Sequence, residues 1–126
     1  MSYIIRTGNI AKTPELQEGP KSKYTRVLVL VNDSEQNDQG EWEETATIAY
    51  NVTVFGNQAE NLVKTAEQSG NIRVTFGGRY RAKEYENKEG QTVIGHDVRA
   101  DFIGASFQGQ TAAVERTGRA AADNDE

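Results

Sequence analysis

Residues 73–85, Arg-Val-Thr-Phe-Gly-Gly-Arg-Tyr-Arg-Ala-Lys-Glu-Tyr, hold four positive charges and one negative, in a chain of 126 residues with 19 Asp and Glu against 14 Lys and Arg. Read with the two-residue period of a β-strand, Ile72, Val74 and Phe76 share one face. Arg73, Thr75, Gly77, Arg79, Arg81, Lys83 and Tyr85 share the other, so every cation of the stretch and one aromatic ring fall on a single side. At about 3.3 Å per residue the segment runs to roughly 40 Å, longer than one wall of a small barrel. It is therefore expected to project as an arm of a hairpin, with Asn87-Lys88-Glu89-Gly90 as the turn and residues 92–103 returning as the last strand. Gly77-Gly78 marks a place for a bulge, which would shift the phase beyond it.

The segments before it read as strands and one helix. Residues 24–31 (Tyr-Thr-Arg-Val-Leu-Val-Leu-Val) are apolar on both parities, which predicts a strand buried on both sides. Residues 45–55 alternate: Ala46, Ile48, Tyr50, Val52 and Val54 point in, and Thr45, Thr47, Asn51 and Thr53 point out. In Asn57–Gly70 the apolar residues Ala59, Leu62, Val63 and Ala66 recur at helical spacing. Asn57 and Glu60 suggest a capping box at its start, and Gly70 a left-handed stop. Pro14, Gly19 and Pro20 break the chain between the first two strands. Residues 33–44 hold six acids and no base and predict an exposed acidic loop carrying Trp42. From about Gln108 the periodicity stops.

These elements predict an all-β chain with one short helix: a five-stranded Greek-key barrel of the OB-fold type, with a long β-hairpin arm. The expected division is a folded domain over residues 1–107 and a disordered acidic tail over 108–126.

Composition narrows the chemistry. The chain has no cysteine and a lone histidine, His96, so neither a thiolate nor a His-rich metal site is expected. No run approaches the roughly 18 apolar residues of a membrane helix, and the opening Met-Ser-Tyr-Ile-Ile-Arg lacks a signal-peptide pattern. A soluble, intracellular protein is expected. No nucleophile, base and orienting group share a readable context, so neither an enzyme nor a cofactor is expected. His96 reads as an exposed or interface side chain.

The basic face remains. A solvated hairpin arm ordinarily mixes both signs. Arg73, Arg79, Arg81 and Lys83 with Tyr85 instead form a track for phosphates ending in a ring on which a base can stack. Phe55, on the outward polar parity of its strand, is a second platform, although helix residues such as Ala59 would cover it if it belonged to the core. Trp42 either swings onto a bound strand or anchors its loop. Arg6, Lys12, Lys21, Lys23 and Arg26 extend the positive path, and the acidic loop and tail hold the compensating charge away from it. The competing reading is an OB-fold interaction module that assembles a replication complex without holding DNA itself.

The residues resemble the bacterial single-stranded DNA-binding protein family over about residues 3–107. Gly8-Asn9-Ile10 with Pro14-Glu15-Leu16 is similar to the family's opening signature, and Phe55-Gly56 with Ala59-Glu60-Asn61 to its third-strand end and helix start. Gly78-Arg79 through Tyr85-Glu86 and Gly90-Gln91 resemble its fourth strand and hairpin, and Val98–Gly104 its last strand. Gly40-Glu41-Trp42 is similar to a loop of actinobacterial members.

The resemblance implies a homotetramer that binds single-stranded DNA without sequence preference and protects it during replication, recombination and repair. It also implies stacking by Phe55 and Tyr85, while a position usually aromatic falls at Ala49 and the ring of the loop between Val31 and Gly40 is missing. Tyr50 falls where the family has core or interface residues. The family typically ends in an acidic tip closing in Pro-Phe that recruits partner enzymes. Asp123-Asn124-Asp125-Glu126 keeps the acid without that ending, which argues against recruitment by the tail and suits an accessory, phage or plasmid member or a truncated chain.

Overall fold

In the computed structural model, which describes residues 2–117, seven elements follow one another. They are Ser2–Ile10 (β1), Gln17–Glu18 (β2), Lys23–Gln36 (β3), Trp42–Phe55 (β4), the helix Asn57–Ser69 (α1), Arg73–Glu86 (β5) and Thr92–Ala105 (β6). Five strands lie side by side in the order β1-β5-β6-β4-β3, and pairing of Asn9 and Ile10 with Leu30 and Val29 brings β1 back to β3 and closes the barrel. Only β4 and β6 run parallel; the other pairs are antiparallel.

The interior is filled largely by valines. Val27, Val29, Val52, Val54, Val74 and Val98, with Ile10 and Phe76, are almost wholly buried. Branching at Cβ suits these residues to a pleated strand, and each stabilises the fold by roughly 1.5–3 kcal/mol on burial. The single buried polar residue among those described, Thr25, donates its hydroxyl to the Glu15 carbonyl at 2.7 Å, so no orphan is left inside. Helix α1 buries Ala59, Leu62, Val63 and Ala66, the four residues its spacing selects.

Several expectations change. The strand at 24–31 is not buried on both sides: Thr25, Val27, Val29 and Val31 face the core, while Tyr24, Leu28 and Leu30 are half-buried and Arg26 is exposed. Asn57 is the first helical residue rather than the cap. Gly56, at φ 68°, takes the cap position with no side-chain bond, and Glu60 pairs with Lys23 instead. Gly70 does end the helix: its N–H still bonds the Ala66 carbonyl, and its positive φ of 82° turns the chain out of the helix beyond it. A two-residue strand, β2, pairs with the start of β3.

The largest change concerns the acidic segment. Residues 33–44 are not a loop: β3 and β4 stay paired out to Gln36 and Trp42, making a second hairpin arm. Its tip repeats the chemistry of the predicted turn. Asn37 Oδ1 accepts the Gln39 and Glu41 N–H groups as Asn87 Oδ1 accepts those of Glu89 and Gln91, and Gly40 and Gly90 both take positive φ. Such side-chain caps on Asn are turn-forming in themselves.

The bulge near Gly77-Gly78 lies on the opposite strand. Gly77 faces Phe102 and Gly78 faces Ala100, leaving Asp101 as the extra residue of β6, so β5 keeps its phase through Lys83. Glycine is required at 78 by close approach, because a Cβ there would sit 2.1 Å from the Arg99 carbonyl oxygen.

Candidate nucleic-acid interface

The outer face of β3, β4, β6 and β5 forms an open groove of about 490 Å³. Alternation along β5 aims Arg79, Arg81 and Lys83 into it, and the bordering strands add Arg26 from β3 and Arg99 from β6. Among the described residues, the ion pairs within 4 Å lie elsewhere: Arg6 with Asp33, Lys23 with Glu18 and Glu60, and Lys64 with Glu115. Among the described residues the five groove cations therefore have no carboxylate within 4 Å, although Asp97 lies opposite Arg81 in the register. Asp97, the acid in the groove lining, accepts a hydrogen bond from Asn51 Nδ2 at 3.2 Å.

Phe55 is 38% exposed at the groove wall. Its ring is not sealed into the core: Tyr24 packs against it at 6.1 Å, tilted by 39°, and the Arg99 guanidinium lies 4.7 Å from its centroid. Tyr85 stands half-exposed on the arm opposite Val93. Its ring rests on Gly95, where a Cβ would approach the ring to 2.8 Å, so the absence of a side chain at 95 makes the seat.

The remaining expected residues divide. Lys12 lines a cleft with Pro14, Glu15, Gln17, Leu28 and Arg26, and Arg26 belongs to both this cleft and the groove, so the two adjoin at Arg26. Lys23 is engaged by its two glutamates. Arg73 shares the parity of Arg79 and Arg81 but lies at the far end of β5, where Nη1 donates to the Gln108 carbonyl at 3.0 Å and the Gln110 amide bridges the Arg73 N–H and C=O. Barrel curvature separates residues that a flat strand would align. Arg6 is also turned away, paired with Asp33 and stacked 5.8 Å from the Tyr50 centroid. Trp42 is 73% exposed beside the tip of the acidic arm, opposite Gln36.

His96 lies half-buried rather than exposed. It stacks on Tyr80 with an interplanar angle of 17°, and the Tyr80 hydroxyl is 2.7 Å from Nδ1. Tyr50 is buried beside both rings, as its inward parity requires.

Reading the sequence missed Arg99, Asn51 and Thr53 as groove residues. Asn51 and Thr53 were recognisable as outward-facing; their neighbours were not. The parallel register that sets Thr53 beside Arg99 joins strands 46 residues apart in sequence, and the Asp101 bulge reverses the inward parity of β6 from Ile103 to Val98.

A closed five-stranded barrel with a single helix after its third long strand, carrying an open cationic face with exposed rings, defines an OB-fold of the oligonucleotide-binding kind. A family model described as the single-strand binding protein family matches residues 1–106, and the chain belongs to that family.

Among its relatives, single-stranded DNA-binding protein 2 of Staphylococcus aureus strain Mu50 is 37% identical over 104 residues, covering 82% of this chain and 70% of the relative. The single-stranded DNA-binding protein of Paenarthrobacter aurescens is 28% identical over 118 residues, covering 92% and 68%. The crystal structure of a small single-stranded DNA-binding protein from Streptomyces coelicolor superposes with a TM-score of 0.72 at 21% identity, over 86% of this chain and 97% of that one, and shows the same fold.

Proposed function

We propose that this protein binds single-stranded DNA without sequence preference and shields it during replication, recombination and repair, as a binding protein and not an enzyme. The observation that carries this reading is the groove itself: Arg26, Arg79, Arg81 and Lys83, with no carboxylate within 4 Å among the described residues, converging beside the exposed ring of Phe55. Phosphate attraction and stacking are both indifferent to base identity, so this combination gives affinity without sequence readout. Lys12 extends the path, and Tyr85 carries it onto the arm. The acidic arm keeps the compensating negative charge off this face, which explains how a protein of net charge −5 presents a cationic groove.

Self-association accompanies the reading. Along residues 2–7 the edge of β1 away from β5 has no partner strand among the described residues, and Tyr3, Ile5 and Phe102 are exposed on the adjoining surface. An open strand edge flanked by apolar side chains favours pairing with a second copy, and a homotetramer in the cytoplasm, associated with the nucleoid, is the assembly we propose. Residues 1–107 form the binding unit and 108–126 an acidic tail, whose last nine residues, including Asp123–Glu126, lie outside the described residues.

Titration with oligothymidine at several salt concentrations, followed by intrinsic fluorescence, tests the reading. Binding quenches the signal and weakens as salt rises; no binding at low salt overturns it in favour of an interaction module. Light scattering at micromolar concentration tests the assembly, and a monomer there refutes it.

A further inference from the structure

The register of the sheet sets three arginines in one transverse row. Arg26 lies opposite Thr53, Thr53 is registered with Arg99 across the parallel pair, and Arg99 lies directly opposite Arg79. All four side chains line the groove. With strands about 4.8 Å apart, Arg26 stands roughly 10 Å from Arg99 across the sheet, and Arg79 one strand further on.

Arg79 and Arg99 make an unfavourable pair in the free protein, because like charges directly opposite on adjacent strands repel at close range. Among the described residues no carboxylate lies within 4 Å of either. Asp97 is one row away and bonded to Asn51, and Asp101 interacts with the Tyr3 phenol, whose pKa is raised by desolvation and then by that contact. What holds Arg99 is the face of Phe55. A guanidinium fixed by an aromatic face keeps its in-plane N–H donors free, and those donors match the geometry of a phosphate.

We infer that Arg79 and Arg99 form a phosphodiester-binding pair, with Arg99 the central cation of the row, and that a bound phosphate relieves the repulsion between them. This rests on the proposed binding of single-stranded DNA. The phosphate sits between the two guanidinium groups next to the Phe55 ring, so one nucleotide is gripped at its backbone and stacked at its base in the same place. The free protein gives up some stability to keep the pair unneutralised.

The test uses the full chain with Arg99→Gln, Arg79→Gln and, as a control for net charge, Lys64→Gln on α1, where Lys64 pairs with Glu115 outside the groove. Oligothymidine affinity is measured against salt, and melting of the free protein at low and high salt. Arg99→Gln and Arg79→Gln each weaken binding several-fold and flatten the plot of log affinity against log salt by up to about 0.7. Lys64→Gln changes neither. Arg79→Gln raises the melting temperature of the free protein by about 1–4 °C at low salt, and the gain disappears near 1 M salt, where screening removes the repulsion. Arg99→Gln binding like the wild type, or all three variants losing affinity equally, overturns the pair while leaving the functional reading intact. An Arg79→Gln variant that melts no higher than wild type overturns the repulsion. Failure of the wild type itself to bind removes the functional reading, and the pair with it.

Discussion

Replacing Phe55 with leucine isolates what the ring contributes. Leucine retains most of the apolar volume that covers the end of β4 but presents no π face. In the free protein the change removes the tilted contact with Tyr24 at 6.1 Å, worth about 0.5–1.5 kcal/mol, and the cation–π contact with Arg99 at 4.7 Å, worth about 0.5–1 kcal/mol at a partly exposed site. Stability should therefore fall by roughly 1–2.5 kcal/mol, or about 3–10 °C in melting temperature. The fold survives, because the valine core is untouched. In the complex the variant also loses a stacked base, about 1–3 kcal/mol, which corresponds to roughly 5- to 150-fold in affinity for oligothymidine. Stacking releases no counterions, so affinity measured over a salt series should shift while its slope stays unchanged. Two results refute the reasoning. Unchanged affinity together with the full melting loss assigns the ring to the fold alone. A slope flattened as if a phosphate contact had gone, with no loss of affinity beyond that contact, means the ring acts only by holding Arg99.

Three further outcomes follow from the geometry. Arg81→Ala should weaken binding to all sequences alike and flatten the salt slope by up to about 0.7, whereas Tyr85→Ala should cost affinity at constant slope; titrations over a salt series distinguish the two. Gly78→Ala drives a Cβ to 2.1 Å from the Arg99 carbonyl, and should lower the melting temperature markedly and displace Arg99 with its strand, since backbone and not a flexible side chain is in the way. Truncation after Phe107 removes the Gln110 bridge to Arg73 and the Glu115–Lys64 pair, and should lower stability slightly while affinity holds or rises a little; a large loss of affinity would place the tail in the interface.

Much of this arrangement is carried by local period. In β5 the alternation of Val74 and Phe76 with Arg79, Arg81 and Lys83 follows from the two-residue repeat of a strand, and the structure preserves it because the bulge falls on β6. The exposed ring of Phe55 is legible in the same way, from its place after Asn51 and Thr53. Helix α1 buries the four residues its 3.6-residue spacing selects. The acidic arm was hidden for the opposite reason. Asp33–Glu44 buries nothing, so it has no hydrophobic period to read, and its strands are held by ladder hydrogen bonds and an Asn-capped turn. Its one local sign was Asn37-Asp38-Gln39-Gly40, the same spacing of Asn and Gly as in Asn87–Gly90.

Which strand lies beside which is decided only when the barrel closes. Arg73 and Arg79 share a parity on one strand, yet curvature carries Arg73 to the Gln108 and Gln110 backbone and side chain while Arg79 enters the groove. Arg99 joins Phe55 and Arg79 through a parallel pairing and a bulge that no window of sequence contains. Local pattern specifies the core-facing stretches of the strands, the helix and the outward side of each cation on β5, because those depend on neighbours two to four residues away. The tertiary structure alone decided which cations share a row and which find a carboxylate, because charge–charge energies depend on distances set by strand register.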